Sequence, residues 1–259
     1  MDITVIGGGN MGGALVKGWY KSNLDATITV VDKVADKQAA LKESCPDIIL
    51  TDDGAGAVAK SDVVVIVVKP WQVKEVIDSV GDSFREDTIL ISIAAGVKLE
   101  QLDEMLDGYE KPRMFYVIPN IAAEFGQSMS FISPAPGVED GTIAKVKELF
   151  QFVGGALICD EKTTHAGMLM ASCGLAYIMR ILRAQTQAGI EMGFYAKDAL
   201  NIAMQTMEGA VALLQGTGEH PEQAIDRVST PGGYTIKGLN EMDHSGLSSA
   251  IINTFKTGF

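Results

Sequence analysis

A glycine-rich turn set between an apolar strand and a helix constrains this chain more than any other feature. Ile3–Ile6 is a compact, largely β-branched run, and it leads directly into Gly7-Gly8-Gly9-Asn10-Met11-Gly12, which opens a helical stretch over Ala14–Tyr20. Glycine is common here, at 28 residues, so the GxGxxG spacing takes its meaning from that strand–turn–helix context. In such a unit Gly7 permits the tight turn, Gly9 lets a pyrophosphate approach the backbone, and Gly12 brings helix and strand close. The helix N-terminus adds unpaired N–H groups and partial positive charge. Ile6, Gly7, Gly9, Asn10, Met11 and Gly12 are therefore candidate dinucleotide contacts.

Asp32 ends the second apolar run, twenty residues after Gly12, where an acidic group accepts hydrogen bonds from the adenosine ribose hydroxyls and favours NADH. Lys33 beside it could meet a 2′-phosphate, which leaves NADPH open. Two further segments fall at the carboxyl ends of strands, where a doubly wound sheet binds its ligand. They are Val67-Val68-Lys69-Pro70 and Ala94-Ala95-Gly96, and the small residues of the second let a flat ring lie against backbone.

The first half alternates apolar runs with helical stretches such as Asp36–Glu43. Ile3–Ile6, Ile28–Val31, Val63–Val68, Ile89–Ile93 and Met114–Ile118 are continuously apolar, as in parallel strands covered on both faces. A later unit has a strand at Met129–Ile132, a helix at Thr142–Val153 and a last strand at Ala156–Cys159. The fold class is α/β: a Rossmann-type doubly wound parallel sheet over residues 1–160, then an all-helical C-terminal domain over 161–259. There the sequence predicts one long helix over Thr163–Met192, others over Ala199–Gln215 and Pro221–Val228, a loop over 229–235, and a final helix over Ile236–Phe255. Ala166–Met179 is apolar nearly all round, so it must be covered by its own domain or by a second subunit. The expectation is a homodimer interlocked through the C-terminal helices.

Charge narrows the partners. With 21 basic and 33 acidic residues the formal charge is −12, which repels nucleic acid and anionic membranes. Cys45, Cys159 and Cys173 form no CxxC pair, which suits a reducing compartment and gives no structural zinc. No signal peptide is read at the N-terminus and no uncharged apolar run reaches membrane-spanning length, so the expected location is cytoplasmic. Neither a metal-ligand spacing nor a Ser-His-Asp order is present, and His165 reads equally as an acid or as a buried structural histidine.

With these residues in view, the chain resembles the pyrroline-5-carboxylate reductase family along its whole length. The N-terminal motifs are shared with several dehydrogenase families; the specific match lies late, in Gly218-Glu219-His220-Pro221 and in Val228-Ser229-Thr230-Pro231-Gly232-Gly233-Tyr234-Thr235-Ile236. That second stretch follows the family's V-x-S-P-G-G-x-T pattern, and Ile118-Pro119-Asn120 resembles its Met-Pro-Asn segment. The resemblance implies reduction of the cyclic imine 1-pyrroline-5-carboxylate to L-proline with NADH or NADPH, and assembly as a homodimer or a ring of dimers. It also implies a substrate carboxylate on Gly232 and Gly233, with Asn120, Thr230 and Thr235 around the substrate. Thr235 and Glu161 would act at the ring nitrogen. Thr235 also reads as a helix N-cap, and both roles can coexist.

The chain departs from the family at several positions. Ala171-Ser172-Cys173-Gly174-Leu175-Ala176-Tyr177 stands where relatives have Ser-Gly-Ser-Gly-Pro-Ala-Tyr, and losing the proline and a glycine predicts a more regular helix. His165 replaces an aspartate. A paralogous reductase of another cyclic imine is the alternative substrate reading, and a non-catalytic dinucleotide sensor is the alternative class. The β-hydroxyacid dehydrogenases share the glycine turn but need a lysine, which Gly167–Arg183 lacks.

Overall fold

The computed structural model describes all 259 residues, with the side chains of residues 35–37 excepted. The N-terminal elements in chain order are β1 (Asp2–Ile6), α1 (Asn10–Lys21), β2 (Thr27–Val31), α2 (Ala35–Ser44), β3 (Ile49–Thr51), α3 (Gly54–Val58), β4 (Val63–Ile66), α4 (Val73–Val80), β5 (Ile89–Ser92), α5 (Leu99–Met105), β6 (Arg113–Ile118), β7 (Ser128–Pro134), α6 (Asp140–Gln151) and β8 (Gly154–Ile158). One eight-stranded sheet results, ordered β3-β2-β1-β4-β5-β6-β7-β8. β1 lies between β2 and β4, so the strand order reverses there, and a doubly wound sheet binds its ligand at such a point.

The continuously apolar strands are explained by two separate cores. On β4, Val63 and Val65 join one cluster, with Leu15, Trp19 and Phe150, while Val64 and Ile66 join the other, with Ile77, Leu90 and Leu102. Both faces of the strand are buried, and period-2 alternation sends neighbouring side chains to opposite layers. Trp19 fixes α1 to α6: its indole N–H donates to the Leu149 carbonyl at 2.9 Å, and its ring meets Phe150 edge-on at 5.9 Å.

Three differences from the sequence expectation stand out. β3 and α3 were not expected; β3 is a three-residue edge strand, paired only with β2. β7 runs antiparallel to β6, because residues 119–127 contain only a short turn over Ile121–Phe125 and no crossover helix. The chain turns back through Gly126 at φ 69°, and β8 then pairs parallel to β7 after α6.

The third difference concerns the long helix. It begins as α7 (Glu161–Gly167), passes through a π-helical stretch over Met168–Cys173, and continues as α8 (Gly174–Glu191). The expected regular helix is therefore corrected at the run that lost the proline. The expectation about membrane-spanning length also changes: Glu161–Glu191 is long and apolar enough by length and composition, and 17% of its apolar window is buried.

The chain divides into two compact units, Met1–Ser172 and Cys173–Phe259. The second unit holds α8, α9 (Ala196–Thr217), α10 (Pro221–Arg227), α11 (Tyr234–His244) and α12 (Leu247–Lys256). The expected single final helix is broken at Gly246, which sits at φ 70°. Within this unit Tyr177 packs edge-on against Phe255 at 5.0 Å, and Ala199 and Ala203 are buried. Large apolar side chains such as Met179, Met192 and Tyr195 stay exposed in the single chain.

Candidate active site

The turn after β1 is built by steric necessity. Gly7 has φ 108°, and a Cβ there would lie 2.4 Å from the Val67 carbonyl oxygen. A Cβ on Gly12 would lie 1.9 Å from the Gly7 carbonyl oxygen, so the first turn of α1 rests directly on the loop. Gly9 is different: a Cβ there meets nothing within 4 Å. Gly9 is also the N-cap of α1 and makes no side-chain cap, so the first N–H groups of the helix keep no intrahelical acceptor.

This N-terminus opens onto a cleft of about 1020 Å³, whose walls come entirely from the Met1–Ser172 unit. Of the residues expected at the cofactor, Ile6, Gly7, Gly9, Asn10, Met11, Asp32, Val67, Val68, Lys69, Pro70 and Ala95 line it. Gly12, Ala94 and Gly96 do not. Gly12 is a packing residue, Ala94 is buried in the core, and the Gly96 N–H donates to the Tyr116 hydroxyl at 3.3 Å. The sequence reading missed the turn carrying Asp52, Asp53 and Gly54, which lines the β2 side. It also missed Met168 and Ser172 on the β4–β6 side. Only the loss of glycine at 172 marked that second position in the sequence.

The two ends of the cleft differ in chemistry. At the β2 end, Asp32 Oδ2 accepts the Gly8 N–H at 2.7 Å and Oδ1 accepts the Val34 N–H at 2.8 Å. Lys33 lies 3.6 Å from Glu75, a second acidic wall residue, with both side chains exposed. At the other end the walls are Ile93, Ala95, Ile118, Pro119, Met168 and Ser172, largely apolar and suited to a flat ring. The residues thus fit an extended dinucleotide: adenosine at the acidic end, diphosphate on the open Gly9 and the α1 N-terminus, nicotinamide at the apolar end.

Two expected site residues have structural partners instead. Glu161 Oε1 accepts the Leu99 N–H at 2.7 Å, tying α7 to the first turn of α5, and Glu161 is not in the cleft wall. Burial pushes the Tyr116 phenol up, the Gly96 N–H eases that, and the Glu161 charge raises it again. Tyr116 thus remains a neutral hydroxyl beside the Ala94–Gly96 loop. Asn120 is 5% exposed, with its backbone N–H on Ser128 Oγ, its Oδ1 accepting the Ala122 N–H and its Nδ2 donating to the Ala171 carbonyl. Burial and these three bonds place it in the scaffold rather than at an open substrate surface.

The remaining expected residues lie in the second unit and form one compact motif. Gly233 N–H donates to the Thr230 carbonyl at 3.0 Å, with Pro231 and Gly232 (φ 71°) between them, the arrangement of a type II turn. Gly233 is tight against Thr230, since a Cβ there would sit 2.5 Å from its hydroxyl oxygen. The N-cap of α11 is Gly233, so Thr235 is not the cap; it stands exposed in the first helical turn. Next to it lie the N–H groups that the start of a helix leaves without partners.

The comparisons agree with this geometry. Residues 2–96 match a family model described as NADP oxidoreductase coenzyme F420-dependent, and residues 161–258 match pyrroline-5-carboxylate reductase dimerisation. Pyrroline-5-carboxylate reductase 2 of Dictyostelium discoideum is 32% identical over 97% of this chain and 88% of its own length. The chain belongs to the pyrroline-5-carboxylate reductase family. It spans 48% of the length of pyrroline-5-carboxylate reductase 1 from the same organism, at 32% identity. A solved pyrroline-5-carboxylate reductase from Coxiella burnetii superposes with a TM-score of 0.88 at 26% identity, covering 99% of this chain and 95% of that one. The Plasmodium falciparum pyrroline carboxylate reductase, solved with NADP bound, shares the fold at a TM-score of 0.86 and 21% identity, covering 100% of this chain and 95% of that one. Membership makes the chain a nicotinamide-dependent oxidoreductase with a Rossmann-type half and a helical dimerisation half. Its helical half is that of a homo-oligomer.

Proposed function

We propose that this chain reduces 1-pyrroline-5-carboxylate to L-proline with NADH or NADPH. The observation that carries the reading is the cleft at the strand-order reversal, with Gly9 open to it in a chain of this family. When bound, the reduced nicotinamide supplies a hydride to the imine carbon. The protein's own work is positioning and electrostatics, because a protonated imine is already electrophilic. Backbone N–H groups in the first turn of α11, after Gly233, hold the substrate carboxylate, with Thr230, Gly232 and Gly233 shaping the turn. Thr235 supplies a hydroxyl to the ring nitrogen or carboxylate. Glu161 sets the Ala94–Gly96 loop through Leu99.

The acidic β2 end supports a preference for NADH. A 2′-phosphate there would meet Asp32, with Lys33 already beside Glu75. A functional boundary at 160/161 separates the cofactor half from the dimerisation half, dimers assemble further into a ring, and the enzyme is cytoplasmic, in keeping with its unpaired thiols and acidic balance. Turnover of 1-pyrroline-5-carboxylate by purified protein, with each cofactor, tests the reading; NADH binding without imine reduction would reject it.

A further inference from the structure

Residues 94–97, shortly after β5, close as a β-turn in which the Val97 N–H donates to the Ala94 carbonyl at 3.1 Å. Ala95 has a negative φ and Gly96, the third residue, has φ 84°, which makes the turn type II. Types I and II share that closing bond. They differ in the central peptide, here the one joining Ala95 to Gly96, which is flipped between the two.

One contact selects the orientation. The Gly96 N–H donates to the Tyr116 hydroxyl at 3.3 Å, and Tyr116 is 6% exposed on β6, the strand beside β5. A trans peptide is planar, with its N–H and C=O on opposite edges, so the Ala95 carbonyl is turned away from the phenol. A type I turn would keep the bond between Val97 and Ala94 but take the Gly96 N–H off the Tyr116 hydroxyl. Packing at Gly96 does not decide the matter, because a Cβ there would meet nothing within 4 Å; glycine is needed only for its φ.

Ala95 lines the apolar end of the cleft with Ile93, Ile118 and Pro119, so a flip of this peptide would change that wall. We propose that Tyr116 is a positioning residue: its hydroxyl locks the peptide between Ala95 and Gly96 in the type II orientation and so sets the wall that meets the nicotinamide half of the cofactor. Tyr116 acts from behind the turn and is not itself in the wall. The inference rests on the reductase reading only for which cofactor half lies there.

Amide hydrogen exchange followed by NMR on the free, full-length protein reads the lock directly. The Gly96 amide should be protected although its turn is exposed. Tyr116→Phe keeps the buried ring and removes only the oxygen. It should speed exchange at Gly96 about fivefold, the scale of one neutral hydrogen bond, and leave Val97 protected. Calorimetry then reads the cofactor, with NADH and with ADP-ribose, which lacks the nicotinamide half. Tyr116→Phe should weaken NADH about fivefold and leave ADP-ribose within about twofold. Gly96→Ala opposes the same orientation through φ, so it should weaken NADH in the wild type and add little in Tyr116→Phe. A Gly96 amide equally fast in both proteins, protection of Val97 lost with it, equal weakening of both ligands, no weakening of either, or full additivity of the two substitutions would overturn the proposal. A wild-type protein that binds NADH but reduces no imine would instead count against the reductase reading.

Discussion

Asp32 at the end of β2 accepts the backbone N–H of Gly8 at 2.7 Å, so one carboxylate both holds the glycine-rich loop and lines the cleft. Removing it should act on both. Asp32→Ser is expected to raise the KM for NADH by roughly tenfold, the factor carried by about 1.4 kcal/mol, and to narrow the gap to NADPH. Steady-state kinetics with both cofactors check this; an unchanged cofactor ratio would show that Asp32 serves only the loop.

The glycines of the turn are not equivalent. Gly12→Ala puts a methyl 1.9 Å from the Gly7 carbonyl oxygen, so the helix must move and the protein should lose stability and cofactor binding together. Gly9→Ala meets no protein atom, so the fold should survive with an unchanged melting temperature while dinucleotide affinity falls. A thermal melt beside an NADH titration separates the two; equal melting losses would contradict the assignment.

Glu161 offers a contrast between chemistry and scaffolding. Its carboxylate accepts a backbone N–H, a charge-assisted bond worth about 1.5–3 kcal/mol. Glu161→Gln keeps an acceptor oxygen and should retain most of kcat, whereas Glu161→Ala should lower the melting temperature and raise the cofactor KM. Loss of turnover in the glutamine variant at unchanged stability would make Glu161 the proton donor instead.

Ser92 ends β5 fully buried, and its hydroxyl has no hydrogen-bond partner among the described residues. An unsatisfied buried hydroxyl costs about 1–3 kcal/mol. Ser92→Ala should therefore leave the melting temperature unchanged or raise it. A clear drop in denaturant midpoint would mean that the hydroxyl is satisfied in solution.

Much of this arrangement was legible in the sequence, for reasons that also mark where legibility ended. Gly7, Gly9 and Gly12 each answer a local demand of the β1–α1 turn, and the runs forming β4 and β5 are apolar because two cores meet on them. β3 was too short to show a pattern, with only Ile49, Leu50 and Thr51 to carry it. The direction of β7 depended on what residues 119–127 did not contain. Glu161 and Asn120 were singled out by the family resemblance, but their partners are backbone atoms 62 and 51 positions away. Nothing local in the sequence gives such a pairing.

The central claim is that this chain is an imine reductase whose cofactor and substrate elements are those described. The most direct test is oxidation of NADH and NADPH by the purified protein in the presence of 1-pyrroline-5-carboxylate, beside Thr235→Ala. The account predicts turnover with L-proline as product, faster with NADH at low cofactor, and collapse of turnover in the Thr235 variant while NADH binding persists. Cofactor binding with no oxidation, or a Thr235→Ala protein as active as the wild type, would contradict it.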